Sequence, residues 1–225
     1  PYIDLVLEAG DRITTMEDSL AEIQYFDDSV TRLDNDTRIV INSLDRTRNN
    51  VFSSYVEISV LDGAVWSRVI NLVEDKSEFV VKAASIYATT QRGAFNVEIA
   101  DDEVEVGVFT HAVQIQSNNN FDKVISGEKL TLHKTSNLSQ KEKINFDEKS
   151  EDWVKSNLIN DDIYIANVED KLLVAKMEAL GVESEDEVEF DTTLKESTAL
   201  FLTFDDVKKS KLKLDLAEKN FIAAQ

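Results

Sequence analysis

From Gly10 to Ile41 apolar and polar residues alternate in short runs broken by polar turns, and this pattern restricts the chain to a strand-rich fold. In Ala21-Glu22-Ile23-Gln24-Tyr25, the residues Ala21, Ile23 and Tyr25 fall on one face and Glu22 and Gln24 on the other. Successive side chains of a strand point to opposite faces, so a half-buried strand requires this alternation. The runs around Ile13, from Ser19 to Tyr25, from Val30 to Leu33 and from Arg38 to Ile41 read as four short strands.

The same pattern continues to about His133 with short polar connections and almost no helical period, which predicts an all-β sandwich or roll. Further strands are expected at Tyr55 to Leu61, Ala64 to Leu72, Glu78 to Ala83, Ile86 to Thr89, Phe95 to Ile99, Val104 to Phe109, Ala112 to Gln116 and Lys129 to His133. Asp62-Gly63 between two of them predicts a hairpin, because that pair supplies the positive φ angles of a two-residue turn. Asp27-Asp28 holds a comparable place, and aspartate tolerates the left-handed region less well than glycine, so a longer or strained turn is expected there.

Composition narrows the partners. Acidic residues number 44 against 24 basic ones, a net charge of -20, which repels nucleic-acid phosphates and anionic lipid surfaces. Cations or basic protein surfaces are the natural counterparts, and an acidic solubilising surface is the simplest use of the charge. Without cysteine, a disulfide framework and a cysteine-ligated metal are both excluded. No apolar run approaches the roughly 18 residues of a membrane helix, so direct membrane insertion of this segment is not expected. The start at Pro1 lacks the basic-then-apolar pattern of a signal peptide, so the chain reads as a mature or excised piece with any signal or anchor upstream.

Three segments resemble the FecR-type extracytoplasmic domain. The first is the order Gly10-Asp11, Ile13-Thr14-Thr15, Ser19 with its alternating strand, the Asp27-Asp28 turn, Ser29 and a second strand. Gly63-Ala64-Val65-Trp66-Ser67-Arg68-Val69 is similar to that family's tryptophan-bearing strand, and Ile86 to Val97, with Arg92-Gly93 at its centre, to its hallmark. The resemblance implies a FecR-like β-sandwich or roll of about a dozen short strands, followed by helices, mainly β and α+β overall. Within it, Gly93 is expected to permit a bend or close approach, and Arg92 to pair across the sheet.

After the polar segments Asp45 to Ser54, read as a loop, and Leu138 to Glu151, read as a linker, helical period appears. Trp153, Val154, Leu158, Ile163, Ile165, Ala166, Val168, Leu172, Leu173, Ala175, Met177 and Leu180 are spaced largely for one apolar face, with Asp161 or Asp162 as the cap of a second helix and Gly181 as a stop. The Trp153 to Asn157 element is similar to one that follows the strands of FecR-like proteins, so it is taken as part of the same domain. An acidic run from Val182 to Glu189 separates it from Leu194 to Lys219, which resembles the start of a helical domain of unknown function accompanying FecR-like domains in some surface proteins. The expected organisation is a β domain at 1–137, a linker and helices packed on it at 138–181, and an acidic linker with the start of a helical region at 182–225.

No catalytic constellation is visible. His111 and His133 are the only histidines, both in strand contexts, and no nucleophile elbow, phosphate loop, dinucleotide fingerprint or zinc-protease motif occurs. The chain is therefore read as a non-enzyme without a cofactor. Calcium is the one metal considered: it needs six to eight oxygen ligands, and Asp27, Asp28, Asp34, Asp36, Asp101 and Asp102 lie in turns that supply carboxylates, although each pair serves equally as turn or cap chemistry. Melting with and without EDTA decides this, since an unchanged midpoint in millimolar calcium would remove the idea. Asn35-Asp36-Thr37 and Asn137-Leu138-Ser139 are glycan acceptor triplets if the chain is exported to a glycosylating compartment.

Three functions follow from these features. The first is a non-enzymatic cell-surface or extracellular structural or interaction module, self-associating or bound to a protein partner. The alternative is the signal-receiving domain of a membrane-bound anti-sigma regulator, for which the resemblance implies an iron-uptake receptor's signalling domain as partner. The third is a polysaccharide-binding β module using Trp66 and Trp153 as stacking platforms, although Trp66, within a strand, suits the core better. All three are extracytoplasmic.

Overall fold

A computed structural model of the chain describes residues 5–46, 54–70, 77–117, 120–134, 139–144 and 152–179, with helix side chains described for 153–166. Among the described residues there are twelve strands and one helix: β1 (Arg12–Thr14), β2 (Ala21–Gln24), β3 (Val30–Leu33), β4 (Arg38–Arg46), β5 (Ser54–Val69), β6 (Glu78–Ala83), β7 (Ile86–Thr90), β8 (Gly93–Ala100), β9 (Glu103–Ser117), β10 (Asn120–Ile125), β11 (Glu128–His133), β12 (Ser139–Lys143) and α1 (Asp152–Ala179). The chain is mainly β with a C-terminal helix, as its periodicity predicts. It divides into two compact units, Pro1–Asn157 and Leu158–Gln225.

Strand pairing builds two layers that share β5 and β9. The first sheet runs β1-β4-β5-β6-β7-β9-β10, with β5 and β6 parallel and all other neighbours antiparallel. The second runs β2-β3-β5-β8-β9-β11-β12, antiparallel throughout. The inner faces supply one core: Ile39, Ile41, Val56, Ile58, Phe79, Val81, Val113 and Ile115 from the first sheet meet Ile23, Leu33, Val65, Phe95, Val97, Val106, Val108 and Leu130 from the second. Tyr25, just after β2, and Phe79 of β6 touch edge to face across this core at 5.3 Å between ring centroids.

The predicted hairpin at Asp62-Gly63 is instead the bend of one sixteen-residue strand. Residues before it pair with β4 and β6, residues after it with β3 and β8, so the two halves never pair with each other. Gly63 does take the positive φ expected of it, at 79°, and for a second reason as well. A Cβ there would lie 2.7 Å from Thr37 Cα and 2.9 Å from the Asp36 carbonyl oxygen, closer than side-chain carbons approach backbone. The strands predicted at Val104 to Phe109 and Ala112 to Gln116 fuse likewise into β9, which pairs with β8 and β11 before Ala112 and with β7 and β10 after it. Local periodicity registers a face but not a partner, and both long strands change partner midway.

Two strands escaped the sequence pattern. In β10 only Val124 is buried, and β12, inside the segment read as a linker, is exposed throughout, so neither carries an apolar alternation. The segment read as a surface loop is strand at both described ends, where β4 extends to Arg46 and β5 begins at Ser54. The helix does not break at Asp161 or Asp162; α1 continues through both, since aspartate in a helix interior costs well under 1 kcal/mol, roughly, without a proline or glycine to interrupt the ladder. Ile163, assigned to an apolar face, is exposed. Gly181, the acidic run at 182–189 and the second resemblance at 194–219 lie outside the described residues.

Candidate functional site

The turn aspartates occupy three separate turns and serve local turn geometry. Between β2 and β3, Asp27 accepts bonds from Ser29 N (2.9 Å) and Ser54 Oγ (3.0 Å), while Asp28 stands at φ 60° and accepts from Gln24 Nε2 (3.3 Å). The turn spans Tyr25 to Ser29, longer than two residues and with a left-handed aspartate, as its composition predicts. Between β3 and β4, Asp34 caps Asn35 N at 2.8 Å and Asp36 takes φ 47°. Between β8 and β9, Asp101 takes φ 39° and the Asp102 carbonyl accepts Lys134 N at 2.7 Å. Among the described residues no group of three or more histidine, aspartate or glutamate side chains is placed to hold a metal ion. In the first glycan triplet Thr37 is buried, its hydroxyl bonded to the Asn35 and Ala64 carbonyls.

The two histidines are kept apart. His133 Nδ1 lies 3.0 Å from Glu103 Oε1 at the start of β9, and His111 is eight residues further along that strand, about 26 Å at the usual strand rise.

A cross-strand row on the outer face of the second sheet gathers most of the distinctive side chains. Glu22 faces Arg32, Arg32 faces Trp66, Trp66 faces Asn96, Asn96 faces Gly107, Gly107 faces Lys129 and Lys129 faces Glu142. These residues alternate with the core positions Leu33, Val65, Val97, Val106 and Leu130, so they point away from the core. Trp66 is nevertheless wholly buried, with the Phe109 ring 4.5 Å away, centroid to centroid. It belongs to a second, outer packing layer and offers no stacking platform to a sugar. Trp153 donates from Nε1 to Asn96 Oδ1 at 3.3 Å, and Asn157 donates from Nδ2 to the Trp153 carbonyl at 3.0 Å. Buried Arg32 donates from Nε to Glu22 Oε2 (2.8 Å) and from Nη1 to Asn157 Oδ1 (3.4 Å), which compensates the removal of its charge from water. The first turn of α1 is thereby fastened to the sheet through Asn96 and Arg32. At the far end of the row Lys129 lies 2.9 Å from Glu105 and 3.3 Å from Glu142; burial alone would lower its pKa, and the two carboxylates outweigh this and raise it.

The resemblance motifs converge where β9 passes between the sheets. A bulge opposite Ala94 and Phe95 inserts Phe109, placing its ring over Trp66. The next residue, Thr110, accepts at Oγ1 from Arg68 Nη1 (3.0 Å) and Ala94 N (2.8 Å), so Arg68 of β5 is tied to β9 beside the bulge. Gly93 pairs with His111 at φ 131°, and a Cβ on it would overlap the Thr110 carbonyl oxygen. The close approach expected of this glycine is thus real. His111 itself takes φ 65°, unusual for a residue with a side chain.

An open cleft of about 460 Å³ lies beside this crossover, lined by Glu78, Thr89, Thr90, Gln91, Arg92, His111, Ala112, Gln114 and Lys123. Sequence reading missed it because four separate segments build it. Thr89, Gln114 and Lys123 form one cross-strand row on the outer face of the first sheet. On the same sheet Tyr55 donates to Glu57 Oε2 at 2.6 Å; that bond raises the phenol to about 12 and, with Asn42, lowers the carboxyl.

Comparison with known proteins agrees with this arrangement. Residues 11–114 match the family described as FecR protein, a span that contains Gly63, Trp66, Arg68, Arg92, Gly93 and the bulge. Two crystal structures of candidate anti-sigma factors from Parabacteroides distasonis ATCC 8503 are similar. One has a TM-score of 0.51 at 16% identity over 60% of this chain and 60% of that one. The other has a TM-score of 0.49 at 17% identity over the same shares. The first shares the fold, and the chain spans 60% of its length. No curated protein matches the chain significantly.

Proposed function

We propose that this chain contributes the signal-receiving domain of a membrane-bound anti-sigma regulator, held outside the cytoplasm and acting through protein contacts. The observation that carries the reading is the FecR match over residues 11–114. The motif residues within that span are structural: Gly63 bends β5, Trp66 and Arg68 pack the outer layer, and Gly93 seats the β9 crossover. The solved neighbour described as a candidate anti-sigma factor supports the same class. The resemblance makes an iron-uptake receptor's signalling domain the expected partner. No helix among the described residues is long and apolar enough to cross a membrane. The reading of a self-assembling surface scaffold gains nothing from these observations, and burial of Trp66 removes one of the two aromatic platforms of the polysaccharide reading.

Transcript profiling tests the proposal. Deleting the gene in its own host should change a restricted set of genes served by one extracytoplasmic sigma factor, and restoring it should reverse the change. An unaltered transcriptome, together with ordered polymers of the purified chain in electron micrographs, would replace the regulator with the scaffold.

A further inference from the structure

We infer that the cleft beside the β9 crossover is a carboxylate-binding site for an acidic stretch of a partner polypeptide. Across the whole chain acidic residues outnumber basic ones by 44 to 24, yet the cleft reverses this balance: Arg92 and Lys123 line it against the single carboxylate of Glu78, with the His111 imidazole beside them. Its volume, about 460 Å³, falls within the about 300–1,000 Å³ of small-ligand and peptide pockets.

The backbone explains how the basic groups come together. His111, at φ 65°, departs from strict alternation and lines the cleft along with Ala112 and Gln114 of the same strand. Thr90 Oγ1 bonds the Arg92 carbonyl (2.8 Å) and the Ala112 carbonyl (2.9 Å), which fixes the β7–β8 turn carrying Arg92 against β9. Lys123 stands across Gln114 on β10, its backbone carbonyl held by Lys141 Nζ at 2.8 Å. The Lys123 ammonium supplies a point charge for a carboxylate, the Arg92 guanidinium adds positive charge beside it, and Thr89 and Gln114 bring neutral hydrogen-bonding groups to the rim. The charge of the cleft favours acidic side chains, while the net charge of the rest of the chain repels acidic partners that do not enter it.

The signal-receiving reading supplies only the source of such a polypeptide; the cleft's preference stands on its own residues. Amide shifts of the whole chain are followed by NMR during titration with a capped tetraglutamate peptide and with capped tetraglutamine. Shifts confined to 89–92, 111–114 and 123 are expected with tetraglutamate alone, weakening as salt is added. Lys123→Gln should weaken binding by about tenfold, and Gln114→Glu, an exposed change that places a carboxylate in the cleft, should abolish it. Scattered shifts, equal response to tetraglutamine, or unchanged binding by Gln114→Glu would overturn the inference. Peptide binding with a silent transcriptome would sink the regulator alone, and a regulated transcriptome without peptide binding would sink the cleft alone.

Discussion

Gly93→Ala is the sharpest single perturbation of this fold. At φ 131° the backbone occupies a region essentially reserved for glycine, and holding an alanine there costs about 1–3 kcal/mol. The added Cβ also overlaps the Thr110 carbonyl oxygen, and that residue cannot easily retreat, since its hydroxyl is held by Arg68 Nη1 and Ala94 N. Strain and overlap together give a loss of about 3 kcal/mol or more, by analogy with overpacked sites. For a chain of this size that corresponds to a melting point lower by about 6–12 °C. The control is Gly127→Ala, where φ is 83° but nothing lies within 4 Å of the new Cβ, so only the backbone strain is incurred. Circular-dichroism melts and urea titrations of both variants measure the difference. If Gly93→Ala melts within about 2 °C of the parent, or no lower than Gly127→Ala, the assignment of Gly93 to a forced close approach is wrong.

The outer layer should behave as a coupled pair: Trp66→Phe and Phe109→Leu, 4.5 Å apart as rings, should show a coupling of about 0.5–1.5 kcal/mol in a double-mutant cycle, and strict additivity would refute the contact. Tyr55 is raised to about 12 by its bond to Glu57, so its stabilising contribution is complete below about pH 10 and fades as pH rises through 12. Phenolate absorbance should therefore show one tyrosine that titrates earlier in Glu57→Gln, and an unmoved curve would deny the bond. Glu57 has the opposite sign: its depressed pKa stabilises above the ordinary carboxylate value and is lost as pH falls through its folded value. Asn157→Ala removes a partner from buried Arg32 and a bond to the Trp153 carbonyl, so amide exchange over 153–157 should accelerate while β5 stays protected; unchanged exchange would show that Asn157 does not hold this turn.

The elements most legible in the sequence were short runs anchored by apolar residues and bounded by polar turns. The run from Val30 to Leu33 and the run from Glu78 to Ala83 are strands with the bounds their residues suggested. Asp62-Gly63 announced a positive φ correctly and its use wrongly, because turn chemistry fixes a backbone angle while the pairing of each flank is decided by distant strands. The exposed edge strand β12 had no apolar signal to find. The cleft was illegible for a related reason: Glu78, Arg92, His111 and Lys123 become neighbours only through the pairing of β6, β7, β9 and β10.

The motif that marked the family turns out to explain both outer faces at once. Inserting Phe109 into β9 sends one ring onto Trp66 on the second sheet, and two residues later the same strand presents His111 to the cleft of the first. Gly93 is the residue that lets β8 approach closely enough for this crossover, and Arg68 bonds the hydroxyl of Thr110 between the two. Thr110 lies between Phe109 and His111, so a displacement there reaches both through the adjoining peptide units unless the intervening φ and ψ angles absorb it. Packing of the Trp66 layer and the shape of the basic cleft are consequences of a single backbone irregularity, which is why a substitution as small as Gly93→Ala should disturb both.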